Sequence, residues 1–92
     1  MNAPAVHHEP ERRRFSLAVA GGSAELDYRL DAQCMVIPHT RVSPALRGQG
    51  LAARLVAAAV AEAQAQGWQA AAECSYAAAW LARHPDTGGQ PG

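Results

Sequence analysis

The stretch RVSPALRGQGLAARLVAAAV, Arg41 to Val60, decides the fold of this chain. From Ala52 onward, apolar residues recur at the spacing of one helical face, which predicts an amphipathic helix. That face consists of Ala52, Leu55, Val56, Ala59, Val60 and Ala63. Gly48 and Gly50 stand just before the helix although glycine is a poor helix former. We interpret them as part of a turn that leads from an extended segment into the helix.

A turn of this kind favours the binding of an anion. The first N–H groups of a helix lack internal acceptors, and the helix dipole makes that end partly positive. Strand, Gly-x-Gly and helix N-terminus together predict a cradle for phosphate or pyrophosphate, to which Arg47 adds a charge-assisted hydrogen bond. The alternative is that the glycines only shape the turn. A P-loop is excluded because the chain has no lysine. A Rossmann fingerprint is excluded because Ala53 replaces its third glycine.

Upstream of the glycines, the pattern is that of β-strands. RFSLAV (14–19) and AELDYRL (24–30) alternate apolar and polar residues around a Gly-Gly turn, which predicts an antiparallel hairpin. CMVIPHTRV (34–42) predicts a third strand. Because Pro38 cannot donate to a sheet ladder, this strand either ends near His39 or has a bulge there.

Downstream, Gly67 is expected to end the helix. WQAAAE (68–73) predicts a short buried strand, and SYAAAWLARH (75–84) a second helix with Ser75 as its N-cap and Pro85 just past its end. The predicted fold class is α+β, or mixed α/β, with antiparallel strands followed by a β-α-β-α arrangement.

Length and composition limit the possible functions. The 92 residues fit one small domain, which we place at 13–85, between a disordered arm (1–12) and a disordered Pro- and Gly-rich tail (86–92). The formal net charge of +0 gives no basic footprint for nucleic acid. Without a signal peptide, a long apolar run or a Cys-x-x-Cys pair, we expect a cytoplasmic protein with no membrane span and no metal. The oligomeric state is left open.

Three blocks of sequence together resemble a known family. RVSPALRGQGLAARLV is similar to the acetyl-CoA-binding motif of the GNAT N-acetyltransferases, Gln/Arg-x-x-Gly-x-Gly/Ala, with Arg47, Gly50 and Ala52 at its marked positions. AELDYRL, HTRVSPALRGQGLAARLVAAAV and ECSYAAAWLARHP follow in the order and spacing of the short YjdJ-type GNAT-like family. The resemblance implies a minimal GNAT fold and an acetyl-CoA-dependent N-acetyltransferase with an unidentified amine acceptor. A non-catalytic module that binds or senses acyl-CoA is the alternative, and a different anion-binding domain is a third.

The resemblance also implies which residues bind acetyl-CoA. The extended segment that ends in Thr40, Arg41 and Val42 would run along the pantetheine arm and pair with it through backbone groups. A backbone N–H near Arg41 or Val42 could polarise the thioester carbonyl. The CoA pyrophosphate would lie on the loop formed by Arg47, Gly48, Gln49, Gly50, Leu51 and Ala52.

Three side chains are candidates for the chemistry. Cys74, near a helix start where thiol pKa values fall, could be a nucleophile or a buried structural cysteine. Glu73 beside it is expected to raise the pKa of that thiol, and Ala72 stands where the family usually has proline. The resemblance implies that Tyr76 could protonate the CoA thiolate, as a tyrosine often does in GNAT enzymes; the alternative is that it simply packs. His39 could act as a base or be a hydrogen-bonded structural group.

Overall fold

The computed structural model describes residues 6–84. Its elements, in chain order, are β1 (His7–Glu9), β2 (Arg14–Val19), β3 (Gly22–Asp31), β4 (Cys34–Val42), α1 (Leu51–Gln66), β5 (Gln69–Ala72) and α2 (Ser75–Arg83). The strands form one sheet in the order β1-β2-β3-β4-β5, in which only the β4–β5 pair is parallel. A 3₁₀ turn, Pro44–Leu46, joins β4 to α1. The predicted α+β class is confirmed.

Both helices pack on the same face of the sheet. The strands contribute Phe15, Leu17, Ala24, Leu26, Tyr28, Met35, Ile37 and Ala70 to the core, and the helices contribute Leu51, Leu55, Val56, Ala59, Val60, Ala63, Ala77, Trp80 and Leu81. The predicted face of α1 is confirmed except at its first position, where Leu51 is buried and Ala52 is only half-buried. Because small alanines line much of α1, the helix can lie close to the sheet.

Strand β4 contains a β-bulge at the proline. Ile37 and Pro38 lie opposite the single residue Tyr28 of β3, and the strand then continues to Val42. A bulge leaves one residue of a strand without a ladder partner, so the missing N–H of Pro38 costs no hydrogen bond there. Of the two predicted outcomes, the bulged strand is therefore the one that forms.

The predicted disordered arm is wrong for His7–Glu9, which form β1 and pair with β2. The imidazole of His8 stacks on the ring of Phe15 with centroids 4.2 Å apart, and its Nε2 lies 2.6 Å from the hydroxyl of Tyr28. A strand of three residues is too short to show an alternating pattern, so periodicity could not predict it. The predicted tail, 86–92, lies outside the described residues, as do residues 1–5. Within residues 6–84, neither helix has the length and apolar character needed to cross a bilayer.

Candidate active site

A cavity of about 600 Å³ lies between the C-terminal half of β4 and the first turns of α1 and α2. Its lining consists of Thr40, Arg41, Val42, Leu46, Arg47, Gly48, Gly50, Leu51, Ala52 and Tyr76. Every predicted acetyl-CoA-binding residue except Gln49 is in this set, and so is one of the three predicted catalytic residues. The structure thus brings Tyr76 together with the predicted acetyl-CoA-binding residues, while the binding of a ligand by these residues stays a prediction.

The N-terminus of α1 opens into the cavity without a side-chain cap. Gly50 is the N-cap residue and has left-handed backbone angles, φ 76° and ψ 14°, and Gly48 has φ 86°. A Cβ at either position would meet no atom within 4 Å, so the positive φ, and not crowding, is what requires glycine here. The N–H groups of the first helical turn are therefore available to an anion in the cavity.

The β2–β3 turn supports the loop that carries these glycines. The backbone N–H and the hydroxyl of Ser43 both donate to the carbonyl oxygen of Ser23, at 2.9 and 3.0 Å, and the N–H of Ser23 donates to Ser43 Oγ at 3.0 Å. Leu46 is buried in the core and its side chain lies over Gly21 and Gly22. The sequence predicted neither the 3₁₀ turn nor the role of Leu46. The Pro-Ala-Leu segment was the available signal, because proline is favoured at the start of such a turn.

The outer edge of β4 is free along the cavity. β5 pairs with β4 only as far as Ile37, so within the described residues no strand covers the edge beyond it. The N–H of Ser43 points toward β3, and N–H groups alternate in direction along a strand. The N–H groups of Thr40 and Val42 therefore point away from β3, toward the cavity side. This alternation turns the N–H of Arg41 away from the cavity.

Cys74 lies at the N-cap of α2, one residue before Ser75, so the prediction of Ser75 as the cap is wrong. Its half-buried thiol lies 4.0 Å from the hydroxyl of Thr40. Burial raises the pKa of the Cys74 thiol, but the N–H groups of Ala77 and Tyr76 and the hydroxyl and backbone of Thr40 lower it by more. The net pKa is below the ordinary value, which favours the thiolate.

The side chain of Glu73 is engaged by an arginine. Arg29 donates to both of its carboxylate oxygens, Nη1 to Oε1 at 3.1 Å and Nη2 to Oε2 at 2.8 Å. This hydrogen-bonded ion pair lowers the pKa of Glu73. The expected rise in the pKa of Cys74 is wrong, because the hydrogen bonds from the first turn of α2 and from Thr40 lower that pKa by more than burial raises it.

The two other catalytic candidates lie on opposite faces of the sheet. Tyr76, in the first turn of α2, has 37% of its surface exposed and lines the cavity. His39 lies on the face without helices, where Nη1 of Arg41 donates to its Nε2 at 3.0 Å and Asp27 Oδ2 lies 3.3 Å from that nitrogen. Arg41 also binds Glu25 there, at 2.7 Å, so its guanidinium is turned away from the cavity. The structure does not bring His39 to the candidate site.

Comparisons with known proteins agree with this geometry. A model of the GCN5-related N-acetyl-transferase family matches residues 14–89 of the chain. The solution NMR structure of a GCN5-like protein from Staphylococcus aureus, whose assignment as an N-acetyltransferase is provisional, superposes with a TM-score of 0.71. The two are 28% identical, and the match covers 90% of this chain and 82% of that one. A comparison with curated protein sequences found no match. Together the matches span β2 to α2, the whole of the candidate site.

Proposed function

We propose that this chain, which belongs to the GCN5-related N-acetyltransferase family and is an acyltransferase, uses acetyl-CoA. In this proposal, the acetyl group is transferred to an amine at the cavity described above. One observation carries the proposal. The cavity runs from the uncapped N-terminus of α1, along the free edge of β4, to Tyr76 in the first turn of α2. An uncapped helix N-terminus, an extended backbone edge and a phenol thus lie in one continuous space, which supports the proposal. The assignment to the narrower YjdJ-type group remains a prediction.

The N-terminus of α1 is the place where we propose that the CoA pyrophosphate binds. The uncapped N–H groups of Leu51 and Ala52 and the positive end of the α1 dipole favour a doubly charged group. Arg47 adds a cation on the same side of the cavity. The left-handed conformations of Gly48 and Gly50 turn the backbone so that this helix end is exposed.

The thioester end would lie where β4 and α2 approach each other. The pantetheine amides can pair with the free edge of β4 in the manner of an added strand. The acyl carbonyl oxygen would then accept a hydrogen bond from the N–H of Val42 or Thr40, which stabilises the negative charge that develops on that oxygen. Arg41, an earlier candidate for this N–H, is less suited because its N–H points toward β3.

Two routes of transfer are compatible with these residues. In the direct route, a neutral amine attacks the carbonyl carbon, the bond from carbon to the CoA sulfur breaks, and the Tyr76 phenol gives its proton to the departing thiolate. The surplus proton of the amine then restores the phenol. In the covalent route, the Cys74 thiolate attacks first and becomes S-acetylated, and CoA leaves as a thiolate that takes its proton from the Tyr76 phenol. The amine then takes the acetyl group from Cys74, which leaves as its thiolate, and the surplus proton of the amine restores the phenol.

The first experiment tests the anion site by CoA-dependent thermal stabilisation. Ligand at about 100 times its Kd stabilises a protein by roughly 2.7 kcal/mol, which for a domain of this size is a shift of about 10–20 °C. Gly50→Asp should abolish the shift because its carboxylate would face the pyrophosphate. Gly50→Asn is the matched control, since asparagine tolerates the left-handed conformation and carries no charge. Equal shifts in wild type and Gly50→Asp would refute the assigned site.

A second experiment separates the routes and the alternative of a non-catalytic module. Protein incubated with acetyl-CoA and analysed by mass spectrometry should gain one acetyl group at Cys74 if the covalent route operates, and Cys74→Ser should not gain it under the same conditions. A panel of α-amines, lysine peptides and small amines then tests transfer. Binding of CoA without labelling and without transfer to any acceptor would favour the binding or sensing module.

A further inference from the structure

We propose that Cys74 limits the length of the acyl group: an acetyl group fits against its side chain, and acyl chains of four or more carbons do not. The inference rests on the proposed function, because it takes the cavity as the place of the acyl thioester. It concerns the size of the Cys74 side chain and is independent of whether the thiolate acts as a nucleophile.

The groove between β4 and α2 ends at a backbone crossing. The N–H groups of Glu73 and Cys74 both donate to the carbonyl oxygen of Ile37, at 2.9 and 3.2 Å. The parallel β4–β5 ladder ends at the same residue. An acyl chain that passed this point would have to break both hydrogen bonds. The crossing lies three residues along β4 from Thr40, a distance of at most about 10 Å in an extended strand.

Cys74 connects this crossing to the cavity: its N–H belongs to the crossing, and its thiol lies next to Thr40, a lining residue. Its sulfur is 4.0 Å from the hydroxyl of Thr40, which lines the cavity at that end. Cys74 packs against the core, to which the fully buried Ile37 and Ala77 belong. Since protein interiors are packed at the density of organic crystals, an acyl chain that extends in this direction must displace core side chains.

At the closed end of the groove between β4 and α2, Thr40 and Cys74 are held in place, whereas Tyr76 is not. Thr40 is β-branched and lies in a strand paired with Leu26, which restricts its rotamers. Cys74 is held by its own backbone hydrogen bond to Ile37. Tyr76, by contrast, is partly exposed and can turn toward solvent. We therefore expect Cys74 and Thr40 to limit the length of the acyl chain. Of the two, Cys74 is the side chain whose removal would make room for a longer acyl chain.

The test is an affinity series by isothermal titration with CoA, acetyl-CoA, propionyl-CoA, butyryl-CoA and hexanoyl-CoA. Wild type should bind butyryl-CoA about 10-fold or more weakly than acetyl-CoA, the scale on which one methylene is rejected by a filled pocket. Cys74→Gly should bring the two affinities within about threefold of each other. Cys74→Val should weaken acetyl-CoA by about 10-fold while leaving CoA itself unchanged. Cys74→Ser, which keeps the size of the side chain, is the matched control and should retain the wild-type profile.

Two results would overturn the inference. One is equal binding of acetyl-CoA and hexanoyl-CoA by the wild type. The other is a dependence of affinity on acyl chain length that is the same in Cys74→Gly and Cys74→Val as in the wild type. If Cys74→Gly does not fold, Cys74→Val alone still provides this test. These outcomes differ from a failure of the proposed function, in which the wild type would bind neither CoA nor any of its thioesters.

Discussion

Replacement of Gly22 by alanine tests whether the β2–β3 turn holds the loop in front of α1. A Cβ on Gly22 would lie 2.6 Å from Ser43 Oγ and 2.7 Å from Ser43 Cβ, distances at which the loop must move. Forcing extra volume into a packed site costs about 1–3 kcal/mol, and the φ of +155° adds about 1–2 kcal/mol of backbone strain. Gly22→Ala should therefore lower the free energy of unfolding by about 2–5 kcal/mol, which corresponds to a fall in Tm of roughly 10 °C or more.

Gly21→Ala is the matched control. Gly21 also has a positive φ, +99°, but a Cβ there would meet only Leu46 Cδ2, at an ordinary 3.6 Å. The control should thus show the backbone strain without the clash, about 1–2 kcal/mol. The assay is urea unfolding followed by circular dichroism, with thermal melts beside it. A loss in Gly22→Ala no larger than in Gly21→Ala would refute the close approach of the turn and the loop.

A double-mutant cycle identifies the clashing partner. Both close atoms belong to the side chain of Ser43, so Ser43→Gly should relieve the clash in the Gly22→Ala background although it costs stability alone by removing two hydrogen bonds. The coupling free energy should be about 1–3 kcal/mol in the favourable direction. A coupling near zero would show that the strain arises elsewhere.

Three further predictions concern the Cys74 thiol and the core. The rate of Cys74 alkylation by iodoacetamide, followed by peptide mass spectrometry, should reach half its maximum at a pH below the usual thiol pKa, and Thr40→Val should move that midpoint upward. The pKa of the Cys74 thiol is lower in the folded than in the unfolded protein. The thiolate therefore stabilises the fold at a pH above the pKa of the unfolded protein, and this stabilisation is lost as the pH falls through the pKa of the folded protein. Arg29→Gln should raise the same midpoint by leaving the Glu73 carboxylate unpaired beside the thiol, and no change would mean that solvent already screens that charge. Leu55→Ala, at a fully buried position of α1, should lower the unfolding free energy by about 3–5 kcal/mol in urea, and a loss below 1 kcal/mol would contradict the packing of α1 on the sheet.

The elements that the sequence predicts well are those fixed by local periodicity. The face of α1 follows from a spacing that repeats over three turns, and the β2–β3 hairpin from alternation around two glycines. The residues around the cavity were also predictable, because glycines before a helix and a proline within a strand are signals that can be read from the local sequence. The predictions concern which residues surround the cavity, and they do not extend to what those residues bind.

The misses arise where tertiary contacts override local preference. Ser75 has the better intrinsic preference for an N-cap, but the backbone hydrogen bond from Cys74 to Ile37 fixes the start of α2 one residue earlier. β1 exists because His8 finds an aromatic surface on Phe15 and a hydrogen-bonding partner in Tyr28. Tyr28 is 20 residues away, and Phe15 becomes a neighbour of His8 only through the pairing of β1 with β2, so the periodicity of the local sequence does not reveal these contacts.

The bulge at Pro38 explains both why His39 lies away from the cavity and how the site is shaped. In a regular strand, side chains alternate, and His39 would share the core face with Met35 and Ile37. The extra residue in the bulge shifts this alternation by one, so Thr40 takes the core face and His39 turns to the opposite one.

The same bulge lies where β5 stops pairing with β4, at Ile37. From that point no strand among residues 6–84 covers the outer edge of β4, and the shifted alternation places the hydroxyl of Thr40 near the Cys74 thiol on the face that the helices cover. Without the shift, an imidazole would occupy this position, and the hydroxyl that lowers the thiol pKa would lie on the far side of the sheet. Pro38 is unfavourable in a regular central strand but fits this bulge, which lies where the β4–β5 pairing ends and which determines that Thr40, and not His39, faces Cys74.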